Sequence, residues 1–234
     1  RGLHQRKVRV IAVTRKAYRE SLGALRTDIE AMAETVLDQL RRALDALEVD
    51  DHEAAVAVIE RDDAVNERYL ELEGDCIDLI ALQQPVASDL RFVAASFKIL
   101  TDLERIGDLA TNLARYALAG SSGAIGGVRI REIGETAYDQ VRRAVDAYVD
   151  ADSEVCRAIA DRDDELDAAC QNASETVVRE LIGSESDRWD VERLLDDVSR
   201  LLLTIRDVER VGDHAVNIAA RTVYMNDGNP ALIY

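Results

Sequence analysis

The stretch DLERIGDLATNLA at residues 102–114 and the stretch DVERVGDHAVNIA at residues 207–219 are two copies of one pattern. In both copies apolar residues recur at three- and four-residue spacing, which predicts an amphipathic helix. A second pair, IERDDAVN at 59–66 and ADRDDELD at 160–167, precedes these copies in the same order. Because two pattern pairs recur in order, the sequence predicts an internal duplication.

Around these copies, the apolar periodicity predicts six long helices, three in each half of the chain. The predicted helices cover residues 18–47, 52–82, 86–118, 129–149, 153–182 and 190–225. Only 2 prolines and 12 glycines occur in 234 residues, a composition that favours helices. Helices of this length pack lengthwise, so the predicted fold class is all-α, with two tandem, pseudo-symmetric three-helix bundles.

The breaks in this pattern predict the domain organisation. The first three-helix repeat is predicted over 17–119 and the second over 129–226. Between them, a Gly/Ser-rich stretch predicts a flexible linker over 120–128. The remaining segments are an N-terminal extension or tag remnant at 1–16 and a C-terminal tail at 227–234.

The charge balance excludes several classes of partner. The chain carries 46 acidic and 29 basic residues, a formal net charge of −17, which repels nucleic acids and anionic lipid surfaces. Lysine occurs only at residues 7, 16 and 98, and this acidic, lysine-poor composition favours a halophilic prokaryote as the source. No apolar run is long enough to span a membrane and no secretory signal is recognisable, so we expect a cytoplasmic protein.

Polar residues on the third helix of each half form a ladder at i, i+4 and i+8. The first copy has Glu104, Asp108 and Asn112, and the second has Glu209, Asp213 and Asn217. This spacing keeps the three side chains within about 80° of one face.

The second helix of each half repeats the spacing, with Asp62 and Asn66 in one copy and Asp163 and Asp167 in the other. If the second and third helices are antiparallel, the acidic pairs face one another, and such clusters repel unless a cation neutralises them. Oxygen ligands favour hard cations such as Mg, Mn or Fe. The alternative is a solvated acidic face that is balanced by Arg105 or Arg210.

Other residues of these helices receive structural interpretations. Asp102 and Asp207 are expected on the core side, each paired with an arginine of a neighbouring helix. His214 has Leu109 as its counterpart, so a repeated metal site does not require it.

The three cysteines lack C-x-x-C spacing and are expected to be reduced and buried. No motif of a phosphate loop, nucleophile elbow or histidine metalloenzyme occurs, so no catalytic residue and no organic cofactor are assigned.

The segment QQPVASDLR at 83–91, followed by the two duplicated stretches, resembles the signatures of the PhoU family over roughly residues 17–228. The resemblance implies two three-helix bundles side by side. It also implies a non-catalytic regulator that restrains phosphate uptake and phosphate-responsive signalling. The implied partners are the ATPase of a phosphate ABC transporter and, where present, a phosphate-responsive sensor kinase.

Members of that family bind metal clusters through E-x-x-x-D and D-x-x-x-D pairs, which the resemblance places on Glu104 with Asp108, Glu209 with Asp213, and Asp163 with Asp167. Asn66 stands where an acid would complete the pair with Asp62, so we expect weaker or fewer-metal binding in the first half. The predicted metal ligands are Asp62, Glu104, Asp108, Asn112, Asp163, Asp167, Glu209, Asp213 and Asn217, with Fe, Mn, Mg or Zn as the ion.

Two other functions stay open on the sequence. One is a carboxylate-bridged dimetal oxidase or phosphohydrolase. The shortage of histidines, only 3 in the chain, argues against it, because such oxidase sites usually pair Glu with His on one helix. The other is a purely structural bundle that oligomerises through its apolar seams. The wide apolar faces also make a homodimer the expected assembly.

Overall fold

The computed structural model describes residues 2–120, 128–183, 191–230 and 232, with side chains from residue 16 onward. These residues form helices without any strand, which confirms the all-α fold class. The helices are α1 (Gly2–Val49), α2 (His52–Glu60), α3 (Asp62–Gln83), α4 (Ser88–Leu118), α5 (Ile130–Asp150), α6 (Ser153–Ala160), α7 (Asp163–Gly183) and α8 (Val191–Asp227).

The second helix of each half is interrupted by one turn, which the apolar periodicity did not indicate. α2 and α3 meet at Arg61, whose backbone N–H donates to the carbonyl of Val58 at 3.2 Å. That bond reaches three residues back instead of four, so the chain tightens locally and a new helix begins at Asp62. α6 and α7 meet in the same way at residues 161–162. The six predicted helices therefore correspond to α1, α2–α3, α4, α5, α6–α7 and α8.

Helix α1 begins at Gly2, whereas the sequence pattern predicted a start near Ala17. No proline or glycine occurs between residues 3 and 22, so nothing in the local sequence stops the helix from continuing toward the N terminus. Residues 2–16 therefore extend α1. Most of the predicted linker, residues 121–127, and residues 184–190 before α8 lie outside the described residues.

The third helices, α4 and α8, lie at the centre and pack against each other, so they join the two halves. α4 also contacts α1, α2 and α3, and α8 contacts α5, α6 and α7. The buried apolar residues of the two central helices include Leu103, Ile106 and Leu113 on α4 and Val208, Val211 and Ile218 on α8. The duplicated stretches thus form the core of the molecule.

The second and third helices of the first half run antiparallel, which is the arrangement required for their acidic residues to face one another. Asp62, at the start of α3, accepts a hydrogen bond from Thr111 near the end of α4. Seven residues further along α3, Tyr69 contacts Thr101, in the first half of α4. Among the described helices, none is both long and apolar enough to cross a membrane.

Candidate metal centre

Three carboxylates of α7 and α8 form the acid cluster, which we define as Asp163, Asp167 and Asp213. One oxygen atom from each side chain lies within 4.8 Å of the other two. Asp163 and Asp167 are one turn apart on α7, and Asp213 projects from α8. Acidic pairs on neighbouring helices therefore face one another in the second half, with the geometry that the sequence spacing indicated.

The break between α6 and α7 positions this cluster. Because α7 begins at Asp163, that carboxylate lies in the first turn of the helix, together with Asp164 and Glu165. Acidic side chains are favourable there, since the unpaired N–H groups of a helix start carry partial positive charge. The helix start partly offsets the accumulation of negative charge but does not neutralise it.

The cluster resists full ionisation. Burial, followed by the charges of Asp167 and Asp213, raises the pKa of Asp163 to about 6. Burial and the same two charges raise the pKa of Glu209, which lies one turn before Asp213 on α8. The pKa of Asp213 is also raised, first by burial and then by Asp167, although His214 and Arg210 oppose the shift. The second half therefore concentrates negative charge that a cation would stabilise.

One atom of the cluster lacks a hydrogen-bond donor. Oδ1 of Asp163 is buried and has no hydrogen-bond partner among the described residues. A buried carboxylate oxygen without a donor is unfavourable unless it is protonated or bound to a cation. Since the donor set consists only of carboxylate oxygens, the residues present fit a hard divalent cation such as Mg, Mn or Fe.

The corresponding oxygen of the first half has a protein donor. The hydroxyl of Thr111 donates to Oδ1 of Asp62 at 3.0 Å. Val216 occupies the position equivalent to Thr111 in α8 and cannot donate. The same repeat position therefore gives a satisfied carboxylate in the first half and an unsatisfied one in the second.

The arginines next to the acid pairs also differ between the halves. Arg105 lies 3.5 Å from a carboxylate oxygen of Glu104 and 3.2 Å from one of Asp108, so it bridges the acid pair of α4. Its counterpart Arg210 instead lies 3.8 Å from Asp207. Burial, followed by Asp108, still raises the pKa of Glu104, and Arg105 opposes the shift. An arginine thus contacts the acid pair of the first half directly, whereas in the second half Arg210 acts on Asp213 only through its charge.

The two predicted asparagine ligands make hydrogen bonds with residues outside the acid cluster. Oδ1 of Asn112 accepts a hydrogen bond from Arg115 at 3.1 Å, and Nδ2 of Asn217 donates to Asp102 at 3.3 Å. The physical reason is helical drift, because a residue at i+8 lies about 80° round from residue i and meets a different neighbour. Asn217 consequently faces α4 and not α7.

The prediction that Asp102 and Asp207 pair with arginines of neighbouring helices was wrong. Asp102 lies 2.9 Å from Nδ1 of His214, and Asp207 accepts a hydrogen bond from Tyr116 at 2.9 Å. The arginine nearest to Asp207, Arg210, belongs to its own helix. The direct contact of α4 with α8 brings a histidine and a tyrosine to these carboxylates, and a single sequence does not reveal that contact.

Two buried glutamines lie on the helices that pack against α4 and α8, and neither was predicted from the sequence. Gln39 of α1 and Gln140 of α5 are 1% and 6% exposed, and the side-chain oxygen of each accepts no hydrogen bond from the part of the chain that the structure describes. A methyl group added at Gly212 would lie 3.0 Å from Oε1 of Gln140 and would overlap Cδ2 of Leu166. Close packing against Leu166 and Gln140 thus explains the glycine at position 212, in the middle of α8.

A sequence signal for these glutamines does exist. TVLDQLRRALDA at 35–46 and TAYDQVRRAVDA at 136–147 share Thr, Asp, Gln, two Arg and a second Asp at equivalent positions. The spacing between the two stretches equals that between the copies at 59–66 and 160–167. A search for repeats in the first helix of each half would have identified them.

Comparison with known proteins adds evidence on the family. A model described as the PhoU domain matches residues 29–117 and again residues 130–222. A Pseudomonas putida protein named phosphate-specific transport system accessory protein PhoU homolog is 33% identical over 215 residues, 90% of this chain and 81% of that protein. The crystal structure of PhoU from Pseudomonas aeruginosa superposes with a TM-score of 0.83 at 31% identity, covering 91% of this chain and 100% of that one. The phosphate transport system regulatory protein PhoU from Streptococcus pneumoniae gives a TM-score of 0.83 at 26% identity, over 92% of this chain and 99% of that one.

Proposed function

The chain belongs to the PhoU family, and from this membership we propose that it regulates phosphate uptake and cellular phosphate homeostasis. It acts as a non-catalytic adaptor in the cytoplasm. Its partner is the ATPase subunit of a phosphate ABC transporter, whose activity it restrains, and a phosphate-responsive sensor kinase where the cell has one. The names of the relatives, which describe accessory proteins of phosphate transport, support this role.

The adaptor binds a divalent cation at the acid cluster. The observation that carries this proposal is Oδ1 of Asp163, a buried carboxylate oxygen without a donor, beside Asp167 and Asp213. The cation supplies positive charge that neutralises the carboxylates. Asp163 and Asp167 would hold it from α7 and Asp213 from α8, so the start of α7 would be fixed against α8. Without that charge the like-charged side chains repel one another, and the surface formed by α7 and α8 loosens.

Several features of the cluster support a role without turnover. Among the described residues, no histidine joins the acid cluster, and the nearby His214 is held by Asp102. Cys170, next to the cluster, is buried and has a pKa raised to about 12, first by burial and then by Glu209, so its thiol is not a nucleophile at neutral pH. The carboxylates therefore act as metal ligands. The proposed consequence of metal binding is that the surface formed by α7 and α8 becomes more firmly held. The assembly proposed for the adaptor is a homodimer, because large apolar side chains such as Leu70 and Ile77 of α3 remain exposed.

The test combines metal content with phosphate uptake. Wild-type protein, purified without chelator or nickel, is compared by elemental analysis with Asp163→Asn/Asp213→Asn and with the control Glu180→Gln/Glu192→Gln. The control removes the same charge from exposed positions of α7 and α8. We expect the wild type and the control to retain Mg, Mn or Fe and the cluster variant to lose it. In cells whose own copy is deleted, the cluster variant should restrain phosphate uptake less than the control does. Equal metal content in all three proteins would contradict the metal site, and unchanged uptake on deletion would contradict the regulatory role.

A further inference from the structure

A groove of about 300 Å³ lies between α1 and α3 in the first half of the chain. We call it the α1–α3 groove. Apolar side chains and carboxylates line it together, namely Leu25, Leu79 and Leu82, with Asp28, Asp75 and Asp78. Leu25 and Leu79 belong to the buried core, whereas Leu82 is 73% exposed, so Leu82 and the acids are the groups available to an occupant.

Two of the three carboxylates are free. Asp28 is bound by Nη2 of Arg68 at 2.6 Å. Asp75 and Asp78 are exposed, and neither makes a hydrogen bond or an ion pair with another residue of the described part of the chain. The groove therefore presents uncompensated negative charge beside leucine side chains.

The duplication provides an internal control for this surface. In the second half the positions of Asp28, Asp75 and Asp78 are occupied by Arg129, Thr176 and Arg179, and those of Leu79 and Leu82 by Glu180 and Gly183. α7 folds without the acids and leucines of α3, and Arg129 lies just before α5. The three-helix unit thus does not require an acidic and apolar groove, which points to a role that only the first half performs.

Apolar side chains are also exposed at the end of α3 and the start of α4. Leu82 and Val86 are each 73% exposed, and Leu90 at the start of α4 is 41% exposed. In the connection between α3 and α4, Gln84 and Ala87 have φ angles of 49° and 48° without being glycine, which is an uncommon backbone conformation. Three apolar side chains close in sequence to the groove are therefore exposed to solvent.

We propose that the α1–α3 groove docks one face of a basic amphipathic helix from a partner protein. Apolar side chains of that helix pack on the exposed Leu82, while its lysines or arginines pair with Asp75 and Asp78. Charge complementarity selects this occupant, since an acidic or purely apolar helix would leave both carboxylates desolvated and unpaired. The inference deepens the proposed adaptor function, on which it rests, by identifying the surface that meets a partner.

The test uses the full-length chain and a labelled synthetic helix built from leucine, alanine and arginine, with leucine on one face. Binding is followed by fluorescence anisotropy at physiological salt for the wild type, Asp75→Asn/Asp78→Asn, Leu82→Ser and the control Glu180→Gln/Glu192→Gln. We expect the aspartate variant to bind about tenfold more weakly, as the loss of two exposed ion pairs predicts. Leu82→Ser should also weaken binding, whereas the control should bind like the wild type.

Three outcomes would overturn the proposal. They are no binding by the wild type, equal weakening by the aspartate variant and the control, and a groove variant that lowers the oligomeric state in sedimentation. The second outcome would show that the peptide responds only to the overall negative charge of the chain. The third would show that the groove is the contact with a second copy of the chain. Metal content is measured on the same samples. Loss of peptide binding with full metal retention separates this docking surface from the acid cluster, so each proposal can fail alone.

Discussion

Nδ1 of His214 lies 2.9 Å from Oδ1 of Asp102, so a side chain of α8 in the second half pairs with a side chain of α4 in the first. A second contact runs the other way, from the hydroxyl of Tyr116 on α4 to Asp207 on α8 at 2.9 Å. Asp102 and Asp207 are equivalent in the duplication, yet their partners differ because the copies diverged, with Leu109 at the position equivalent to His214. The two halves are therefore joined by polar contacts that belong to neither repeat alone.

Replacing Tyr116 by Phe should destabilise the protein by about 1–3 kcal/mol, since it leaves the buried carboxylate of Asp207 without its donor. Denaturation in urea, followed by circular dichroism, measures the change. The matched control is Tyr224→Phe, because that hydroxyl makes no hydrogen bond with another described residue. It should change the free energy of unfolding by less than about 0.5 kcal/mol. Equal effects of both substitutions would show that the contact with Asp207 contributes no stability.

Gly212→Ala should destabilise the protein by about 1–3 kcal/mol, because the new methyl group would overlap the side chain of Leu166 and crowd Oε1 of Gln140. Gly74→Ala should have the opposite sign and stabilise it by about 0.5–1 kcal/mol. Gly74 lies within α3, and an added methyl group there would meet no heavy atom within 4 Å. Thermal melting of both variants tests the pair. Stabilisation by Gly212→Ala would mean that α8 is not held closely against α7 and α5.

The three cysteines should be inert in the folded protein. All are buried, and burial raises the pKa of Cys76 to about 12, of Cys156 to about 11 and of Cys170 to about 12. At pH 8 the reactive thiolate is therefore almost absent and shielded from solvent. Iodoacetamide, read by mass spectrometry, should label none of them in buffer and all of them in urea. Rapid labelling of Cys170 in buffer would contradict the close packing of α7 beside the acid cluster.

Much of this architecture was predictable because it repeats in the sequence. The stretches at 102–114 and 207–219 repeat an apolar period, which indicated the central helices, and the acid spacing indicated that Asp163 and Asp167 would face α8. Helical geometry alone fixes which residues share a face, and the facing of the acids additionally required the second and third helices to be antiparallel.

The remaining features depend on contacts between helices and on local backbone geometry. The break at Arg61 arises from one tight hydrogen bond that leaves the apolar period intact. The partners of Asp102 and Asp207 became visible only once α4 was seen against α8. Likewise, Thr111 and its counterpart Val216 fit the helical pattern equally well. Their difference matters only because Thr111 donates a hydrogen bond to Asp62, whereas Asp163 lacks such a donor among the described residues.

In metal-free protein, Asp163→Asn should stabilise the fold at pH 7.5. The pKa of Asp163 is raised to about 6 in the folded state, chiefly by burial, from an ordinary value of 3.8. A carboxyl whose pKa is raised by folding binds protons more tightly in the folded state, so its ionisation removes stability as the pH rises from about 4 to above 6. Asparagine avoids that loss. The gain should be about 1 kcal/mol at pH 7.5, after allowance for partial solvent exposure, and should vanish near pH 4. Urea denaturation in EDTA measures it, and a gain of equal size at both pH values would contradict the electrostatic cause.

The hydroxyl donor at position 111, which Val216 lacks, can be exchanged between the two halves by substitution. Val216→Thr should supply a hydroxyl to Oδ1 of Asp163, as Thr111 does for Asp62, and thereby weaken metal binding in the second half by about tenfold. The control Val216→Ala alters packing without adding a donor and should leave the affinity nearer to that of the wild type.

The reciprocal variant, Thr111→Val/Asn66→Asp, frees Oδ1 of Asp62 and completes an acidic pair with i, i+4 spacing on α3. It should create a second, weaker metal site, because Arg105 still bridges Glu104 and Asp108. Mn²⁺ is titrated into the metal-free wild type and the three variants, and calorimetry measures the stoichiometry and affinity of binding for each protein. If Val216→Thr and Val216→Ala weaken binding equally, packing and not the unsatisfied oxygen governs the second half. If the reciprocal variant gains no ion, then Arg105, and not the hydroxyl of Thr111, is what keeps a cation out of the first half.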